Sequence, residues 1–356
     1  MKCLITGANG FVGANVLRAV LETKRYEPVA LVRPNSNITN LEGLEVEIRY
    51  GNITDFDSLI KAMKGCKFVF HVAATYLFWS KNPHVFYETN VKGTVNVLQA
   101  ARESGVERVV YTSTTGAIGL SKTSEPLDEL SLQNPPPYFF DPWNLGDHYS
   151  RSKILAQREV FKKVNEGMDI VIVCPSAPIG WGDYKPTPTG LLVLKFLNRE
   201  IPFYSDVGFS FVNVKDVARG HVLALEKGKK GEVYILGGHN VFLSQVFDIL
   251  SEITKFRKPI KFPRSVSSFL GQIIGFILEI WASLTGNPPL ITRAQAKASK
   301  LNLFYSSEKA KRELGYTITP LEDALLDSVK YFLSRGMVKK KSAQKLSHLL
   351  NSSDTK

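Results

Sequence analysis

Short apolar runs alternate with longer amphipathic patterns through the first half of the chain, and this alternation restricts the fold more than any other feature. Apolar strands separated by helices predict a parallel sheet that is covered by helices on both faces. Because crossovers between parallel strands are right-handed, the sequence predicts a doubly wound α/β fold. The strand-like runs are at residues 2–6, 29–32, 46–50, 68–72, 108–112 and 170–174, and the helical patterns are at 13–21, 58–63, 91–104 and 149–166.

The second half of the chain is less regular. Proline, glycine and aromatic residues become frequent between residues 175 and 202, which indicates the start of a second lobe. We predict a core at 1–175, a smaller C-terminal lobe at 176–335 that mainly binds substrate and returns some segments to the core, and a basic, flexible tail at 336–356.

Composition narrows the class of protein. The net charge is +12, but Lys and Arg are spread along the chain except in the tail, so the sequence gives no local support for nucleic-acid binding. Cys3 and Cys174 lie in strand-like runs and Cys66 precedes another, which favours reduced thiols in a cytoplasmic protein. The first strand begins too close to Met1 for a signal peptide before it. The six histidines have no zinc-binding spacing, so no metal site is expected.

The turn after the first strand carries glycines at Gly7, Gly10 and Gly13. Backbone without side chains lets a pyrophosphate approach the N-terminus of the following helix, as in Rossmann folds. The spacing is GxxGxxG, and a purely structural turn is the alternative interpretation. The sequence therefore predicts a dinucleotide site; its other contacts in this turn are Asn9, Phe11 and Val12.

The residue after the second strand distinguishes the two nicotinamide cofactors. A carboxylate there binds the ribose 2′-hydroxyl, whereas a cation accommodates a 2′-phosphate. This chain has Arg33, with Ser36 nearby as a further hydrogen-bond donor. We therefore expect NADP(H) to be preferred, with NAD(H) as the other cofactor that could bind; a solvated loop cation is the alternative interpretation of Arg33.

Tyr149 and Lys153 are four residues apart and share one face of a predicted helix. An unperturbed tyrosine ionises near pH ~10, so proton transfer near neutrality needs a neighbouring cation that favours the phenolate. Lys153 could supply that charge and also hold the ribose hydroxyls of the cofactor. Tyrosine and lysine at this spacing also occur on ordinary helix surfaces. The pair therefore indicates a catalytic site only in combination with the other motifs of the chain.

Taken together, these motifs resemble the extended short-chain dehydrogenase/reductase family over residues 1–335. The resemblance implies catalytic roles for Tyr149 and Lys153 and places the third catalytic hydroxyl on Thr114, with Ser113 as the weaker candidate. The family usually has Ser at this position and accepts Thr. The resemblance further implies that these residues line the cofactor: Asn52, Ile53, Ala73, Ala74, Pro175 and Ser176. Asn52 stands where the family usually has Asp, and Asn90 resembles a family network position.

Within the family, several segments are similar to dihydroflavonol reductase-like, 3β-hydroxysteroid dehydrogenase-like and hopanoid-associated sugar epimerase members. The similarity implies hydride transfer between nicotinamide and a carbonyl or alcohol. Alternatives are a nucleotide-sugar epimerase or dehydratase and a non-catalytic NADP-binding regulator. Residues 132–145 form a longer stretch than is usual before the catalytic tyrosine. An aromatic set suggests an apolar or ring-shaped substrate, and Lys185 or Thr187 could bind a polar group; the aromatic candidates are Tyr76, Phe78, Trp79, Phe140 and Trp181.

Residues 266–284 are almost entirely apolar. About 20 such residues can cross a bilayer, but Gln272 and Glu279 argue against a span. The preferred interpretation is a helix packed in the second lobe; an interfacial helix in peripheral contact with a membrane is the main alternative. The family resemblance also implies a homodimer formed through helices that include residues 149–166.

Overall fold

The computed structural model describes residues 1–77, 79–131, 133–287, 289 and 292–351, with the side chains of 265–268 and 351 outside the description. Its strands are β1 (Lys2–Thr6), β2 (Glu27–Val32), β3 (Glu47–Tyr50), β4 (Cys66–His71), β5 (Arg108–Thr112), β6 (Leu120–Ser121), β7 (Phe139–Phe140), β8 (Ile170–Pro175), β9 (Ala177–Ile179), β10 (Phe203–Ser205), β11 (Gly208–Asn213), β12 (Val233–Leu236), β13 (His239–Phe242) and β14 (Ile260–Phe262).

The α-helices are α1 (Phe11–Glu22), α2 (Phe56–Met63), α3 (His84–Tyr87), α4 (Gly93–Glu103), α5 (His148–Asn165), α6 (Pro188–Leu197), α7 (Val214–Lys227), α8 (Leu243–Thr254), α9 (Arg264–Thr285), α10 (Arg293–Ala298), α11 (Glu308–Leu314), α12 (Leu321–Ser334), α13 (Lys340–Leu346) and α14 (His348–Asn351). A π-helical turn at Glu88–Lys92 joins α3 to α4, and a short 3-10 turn at Pro142–Leu145 precedes α5.

The main sheet confirms the predicted α/β class. Within the described residues it has seven parallel strands in the order β12-β8-β5-β4-β1-β2-β3. The predicted elements of the first half agree with the structure to within about two residues at each end. Separate clusters of buried apolar side chains cover the two faces of the sheet, one centred on α1 and α7 and the other on α2, α4 and α5.

The strand order reverses direction at β1. From β1 the chain builds outward through β2 and β3, and then returns to the other side of β1 with β4. Ligands of such sheets bind at the carboxyl ends of the strands flanking this switch point. The carboxyl ends of β1 and β4 are joined directly, because Thr6 Oγ1 lies 2.9 Å from Nδ1 of His71.

A second lobe is built around the mixed three-stranded sheet β13-β11-β9 and a third apolar cluster from α6, α8 and α12. Some segments beyond residue 176 lie in the core instead: β12 pairs with β8, and α7 packs against α1.

The tail differs from the flexible segment that we expected at 336–356. Residues 340–346 and 348–351 are helical, and Leu346 is fully buried together with Val338 in the cluster of the second lobe. The many lysines of this segment suggest a solvated tail, and its few apolar residues are too widely spaced to give a clear pattern. Burial of those apolar residues orders the segment. Residues 352–356 lie outside the described residues.

The helix α9 also differs from the preferred expectation. It spans the predicted apolar segment, but most of its large side chains are exposed, so it is not packed into the lobe as a core helix. No helix in the described part of the chain is long and apolar enough to cross a membrane.

Candidate active site

The predicted cofactor and catalytic residues gather at one edge of the main sheet. The turn Gly7–Gly13 follows β1, Arg33 follows β2, Ala73 and Ala74 follow β4, Thr114 follows β5, and Ser176 follows β8. These are the carboxyl ends of strands in a doubly wound sheet, where such folds bind their ligands.

The glycine turn is set by close backbone packing. Gly7 has φ of +68°, a conformation that L side chains rarely adopt, and a Cβ there would lie 2.9 Å from Ala73 Cα. A Cβ on Gly13 would lie 2.1 Å from the main-chain oxygen of Gly7. These glycines therefore let the first turn of α1 lie directly against the loop, which leaves the N-terminus of the helix accessible.

That helix N-terminus fits a dinucleotide pyrophosphate. The N-cap of α1 is Gly10, which forms no side-chain capping hydrogen bond, and no acidic residue lies in the first turn. Unsatisfied N–H groups and the positive end of the helix dipole favour an anion at such a terminus. Asn9 helps to fix the turn, since its side-chain amide donates to Asn37 O over 2.7 Å.

The Ser176 hydroxyl is a second polar group that fits a contact with the cofactor. The Ser176 hydroxyl is buried and has no hydrogen-bond partner among the described residues. It follows Pro175 at the carboxyl end of β8, where the resemblance places cofactor contacts. A buried polar atom without a partner is costly, so a ligand group at this position would satisfy it.

The segment after β4 is held by a buried network. Thr6 Oγ1 accepts hydrogen bonds from the main-chain N–H groups of Val72 and Ala73, each over 3.1 Å. His71 bridges Thr6 and Thr94 through its two ring nitrogens. Burial lowers the pKa of His71 to about 3, so this histidine is neutral and structural.

The Arg33 loop leaves its guanidinium free. Arg33 is exposed and forms no hydrogen bond or ion pair through its side chain within the residues described. Ser36 donates its hydroxyl to the main-chain oxygen of Arg33 over 2.7 Å, and so helps to close the loop. Asn35 between them has φ of +60°. The loop thus presents a cation beside the carboxyl end of β2.

The pair at the proposed adenine position has mainly structural contacts. Asn52 Oδ1 accepts from the main-chain N–H of Thr54 over 3.2 Å, which forms a local turn. Ile53 is buried, and its main-chain oxygen accepts from Asn96 over 3.1 Å.

Thr114 and Tyr149 form the centre of the candidate catalytic site. Burial raises the pKa of the Tyr149 phenol well above its ordinary value, while the nearby Thr114 hydroxyl acts in the opposite direction. Tyr149 lies in the first turn of α5, whose N-terminus is capped by Asp147. The phenol is therefore protonated at neutral pH and able to donate.

The structure separates the two candidates for the third hydroxyl. Ser113 is buried, and its hydroxyl donates to Gln157 Oε1 over 2.5 Å, within the core. Thr114 is only half-buried and lies close enough to the phenol to lower its pKa. Adjacent residues at a strand end point in opposite directions, which explains why only one of them reaches Tyr149.

Lys153 lies on the same helix, but its ammonium points into the core. It is 3% exposed, and Nζ donates to Thr112 O over 2.8 Å and to the Tyr111 hydroxyl over 3.2 Å. Burial lowers the pKa of Lys153 to about 8. Sequence reasoning missed Tyr111, because a strand residue in an apolar run gives no signal of a polar partner.

Asn90 connects the catalytic helix to the segment after β4. It lies in the π-helical turn, its Oδ1 accepts from Thr75 N over 2.7 Å, and its Nδ2 donates to Ser152 Oγ over 2.9 Å. Ser152 Oγ in turn donates to Tyr149 O over 2.7 Å. This network fixes the position of Tyr149 relative to the segment that carries Tyr76.

The predicted substrate residues do not all reach the catalytic pair. Tyr76 does, since its ring lies 4.9 Å from that of Tyr149 between centroids. Trp181 packs instead against Tyr331, at 5.1 Å, and its main-chain oxygen accepts from Asn15 of α1. Trp79 is half-buried, and Phe78 lies outside the described residues.

Two further candidates lie at the edges. Phe140 is in β7, paired with β6, and the Lys297 ammonium lies 5.6 Å from its ring centroid. Lys185 is exposed and has no ion pair among the described residues, whereas Thr187 caps α6. Lys185 is therefore free to bind a polar group, and Thr187 has a structural role.

Sequence reasoning missed Asp183. This carboxylate is almost fully buried and accepts from the main-chain N–H and the hydroxyl of Thr187 over 2.8 to 3.0 Å. Burial raises its pKa to about 6, against the effect of those hydrogen bonds. It is close enough to Tyr76 to raise the pKa of that phenol. A single Asp in a proline-rich loop carries no motif that would have identified it.

Comparisons with known proteins agree with this geometry. The NAD dependent epimerase/dehydratase family matches residues 3–237. A Synechocystis protein with the provisional name dihydroflavonol 4-reductase is 39% identical over 339 residues, which cover 94% of this chain and 95% of the relative. Sterol demethylase protein B of Methylococcus capsulatus is 30% identical over 350 residues, covering 95% of this chain and 100% of the relative.

A solved structure extends the match to the whole fold. The crystal structure of gox2253 superposes with a TM-score of 0.81 at 39% identity, covering 95% of this chain and 99% of that one. The chain therefore belongs to the NAD dependent epimerase/dehydratase family, the extended short-chain dehydrogenases/reductases, whose members are NAD(P)-dependent oxidoreductases, epimerases and dehydratases.

Proposed function

We propose that this protein is an NADP(H)-dependent oxidoreductase that interconverts a carbonyl and an alcohol on an apolar or ring-shaped small molecule. The observation that carries the proposal is that the protonated Tyr149 phenol lies near the carboxyl end of β5, close enough to the Thr114 hydroxyl for that group to lower its pKa. Two hydroxyls that meet beside a dinucleotide site can both hydrogen-bond one substrate oxygen.

The chemistry divides among the chain's own residues. Bound nicotinamide supplies or accepts the hydride. Tyr149 Oη donates its proton to the substrate oxygen as negative charge develops there, and Thr114 Oγ1 hydrogen-bonds the same atom. Lys153 holds positive charge beneath the site from its position on Thr112 O and Tyr111 Oη, which favours the phenolate that remains.

The preference for NADP(H) is supported by charge. Arg33 is exposed, without a protein partner in the described residues, and follows β2 where a 2′-phosphate would be recognised. Arginine pairs well with phosphate because its donors form a planar fork. Asn52 adds no negative charge beside this position.

The apolar substrate class is supported by the residues around the phenol. Tyr76 lies against Tyr149, and this exposed ring provides a flat apolar wall next to the reacting oxygen. The names of the two curated relatives, a dihydroflavonol reductase and a sterol demethylase protein, refer to polycyclic substrates. Both relatives are similar to this chain over most of its length.

The test is turnover of the purified protein with NADPH and with NADH against flavonoid, steroid and aryl ketones and UDP-sugars. We expect ketone-dependent oxidation of NADPH that falls at least about 100-fold in Tyr149→Phe, since general acid catalysis contributes about 10²–10⁴-fold. The matched control is Tyr26→Phe, which removes a hydroxyl just before β2, at the opposite edge of the sheet. Isomerisation of a sugar nucleotide without net cofactor oxidation would replace the reductase with an epimerase. Unchanged cellular function in Tyr149→Phe would indicate a non-catalytic regulator.

A further inference from the structure

The helix α9 packs with its small residues and exposes its large ones. A Cβ on Gly275 would lie 2.9 Å from the main-chain nitrogen of Arg293, so this face of α9 lies directly on α10. Gly271 and Ala282 are buried on the same side. A core helix would have the opposite distribution, with its large apolar side chains inside.

The strand β14 precedes α9 with only Pro263 between them, and the β10–β14 ribbon also exposes large apolar side chains. Phe269 is 65% exposed, Trp281 63% and Leu284 75%. Apolar surface of this extent marks an interaction site on a protein of ordinary composition. We call it the apolar face; its exposed residues are Phe203, Ile260, Phe262, Phe269, Leu270, Ile273, Ile274, Phe276, Ile277, Ile280, Trp281 and Leu284.

The segment that carries the apolar face is rich in basic residues, of which Lys258 and Lys261 are paired with Asp248 and Asp206. Between residues 255 and 300 the only acidic side chain is Glu279, and it is paired with Arg293. In the described structure Lys255, Arg257 and Lys300 form no ion pair through their side chains. The basic residues of this stretch are Lys255, Arg257, Lys258, Lys261, Arg264, Arg293, Lys297 and Lys300.

We propose that the apolar face docks on the surface of a membrane that contains anionic phospholipids, with α9 lying parallel to the bilayer plane. Apolar side chains enter the acyl boundary while flanking cations bind the headgroup phosphates. Trp281 suits this depth, because an indole has an apolar ring and one N–H donor. A second copy of the chain is a poorer occupant, since a symmetric contact would bring two sets of the same cations together.

The helix α9 is linked through α10 to the turn before the catalytic helix. Lys297 of α10 donates to Asn144 O over 2.7 Å, in the turn that leads into the catalytic helix α5. Docking through α9 therefore turns this side of the protein toward the bilayer. If the proposed function holds, a ketone dissolved in the membrane is the substrate that this orientation serves.

Vesicle flotation of the full-length protein tests the proposal without any substrate. We expect binding to vesicles of phosphatidylcholine with phosphatidylglycerol, weaker binding to phosphatidylcholine alone, and loss of binding in the double variant Ile277→Asp/Trp281→Asp. The control is Tyr50→Asp/Leu130→Asp, which adds the same charge at exposed apolar positions outside the apolar face and retains binding. Equal thermal unfolding temperatures show that all variants are folded.

Two results would overturn the proposal. One is wild-type flotation in Ile277→Asp/Trp281→Asp, which would place the membrane contact elsewhere. The other is a wild-type protein that floats with neither kind of vesicle and instead forms a dimer. If Ile277→Asp/Trp281→Asp dissociates that dimer, a second copy of the chain covers the apolar face. A lack of ketone reduction would contradict the proposed function and leave the flotation result standing.

Discussion

The Lys153 ammonium donates to the main-chain oxygen of Thr112 over 2.8 Å, two residues before Thr114 along the chain. Thr112 is itself fixed, because its hydroxyl lies 2.9 Å from Nε2 of His221, whose Nδ1 bonds Val217 O. The lysine is thus anchored to the sheet at a defined position.

The buried lysine predicts a pH-dependent stability. Its pKa is lowered from 10.5 to about 8 by burial, so between these values the unfolded chain binds more protons than the folded one. The free energy of unfolding of the wild type should therefore rise relative to that of Lys153→Met across this window, by about 1.4 kcal/mol per unit of pKa separation. Urea unfolding of the cofactor-free proteins from pH ~7 to ~10.5 measures it. Parallel curves for the two proteins would contradict the lowered pKa.

The hydroxyls at 113 and 114 predict opposite phenotypes. Thr114→Val should lower kcat about 100-fold, because one donor to the substrate oxygen is lost, whereas Thr114→Ser should stay within about tenfold. Ser113→Ala should retain turnover but lower the free energy of unfolding by about 1–2 kcal/mol, since Gln157 loses its buried partner. Steady-state kinetics and urea unfolding separate the two effects. Loss of turnover in Ser113→Ala with an intact Thr114→Val would reverse the assignment.

Much of this arrangement could be predicted from local sequence. The run 2–6, the glycines after it and the helix behind them specify a βαβ unit, and each later strand end then falls at the same edge of the sheet. The positions of Gly7, Arg33 and Thr114 follow from that one fact. Their order along the chain is enough, because parallel strands align their carboxyl ends.

Contacts between distant segments could not be predicted in this way. Periodicity does not show that Lys153 turns toward Tyr111, that Trp181 packs on Tyr331, or that Asp183 is buried near Tyr76. These depend on how the second lobe sits on the first. For α9, the apolar pattern indicated a helix, but which side it buries is decided by the close approach at Gly275.

The free guanidinium of Arg33 predicts cofactor selectivity. Arg33→Ser should reduce the ratio of kcat/KM for NADPH to that for NADH by about 10- to 100-fold, because a charge-assisted hydrogen bond contributes about 1.5–3 kcal/mol. The effect should fall on NADPH alone. The control is Lys64→Ser, at the end of α2 that leads into the start of β4, away from the carboxyl edge of the sheet. Equal losses with NADPH and NADH would mean that Arg33 does not contact a 2′-phosphate.

Two glycines of the first turn differ in how closely the backbone approaches them. A Cβ on Gly13 would lie 2.1 Å from Gly7 O, whereas one on Gly10 would lie 3.2 Å from the same atom. Gly13→Ala must therefore displace the loop from α1, and should lower the free energy of unfolding by about 1–3 kcal/mol and abolish cofactor binding. Gly10→Ala needs only a small adjustment and should retain measurable affinity. Urea unfolding and fluorescence titration with NADPH measure both effects. Equal losses of affinity in the two variants would contradict this difference. They would mean that the pyrophosphate approaches Gly10 as closely as the loop approaches α1 at Gly13.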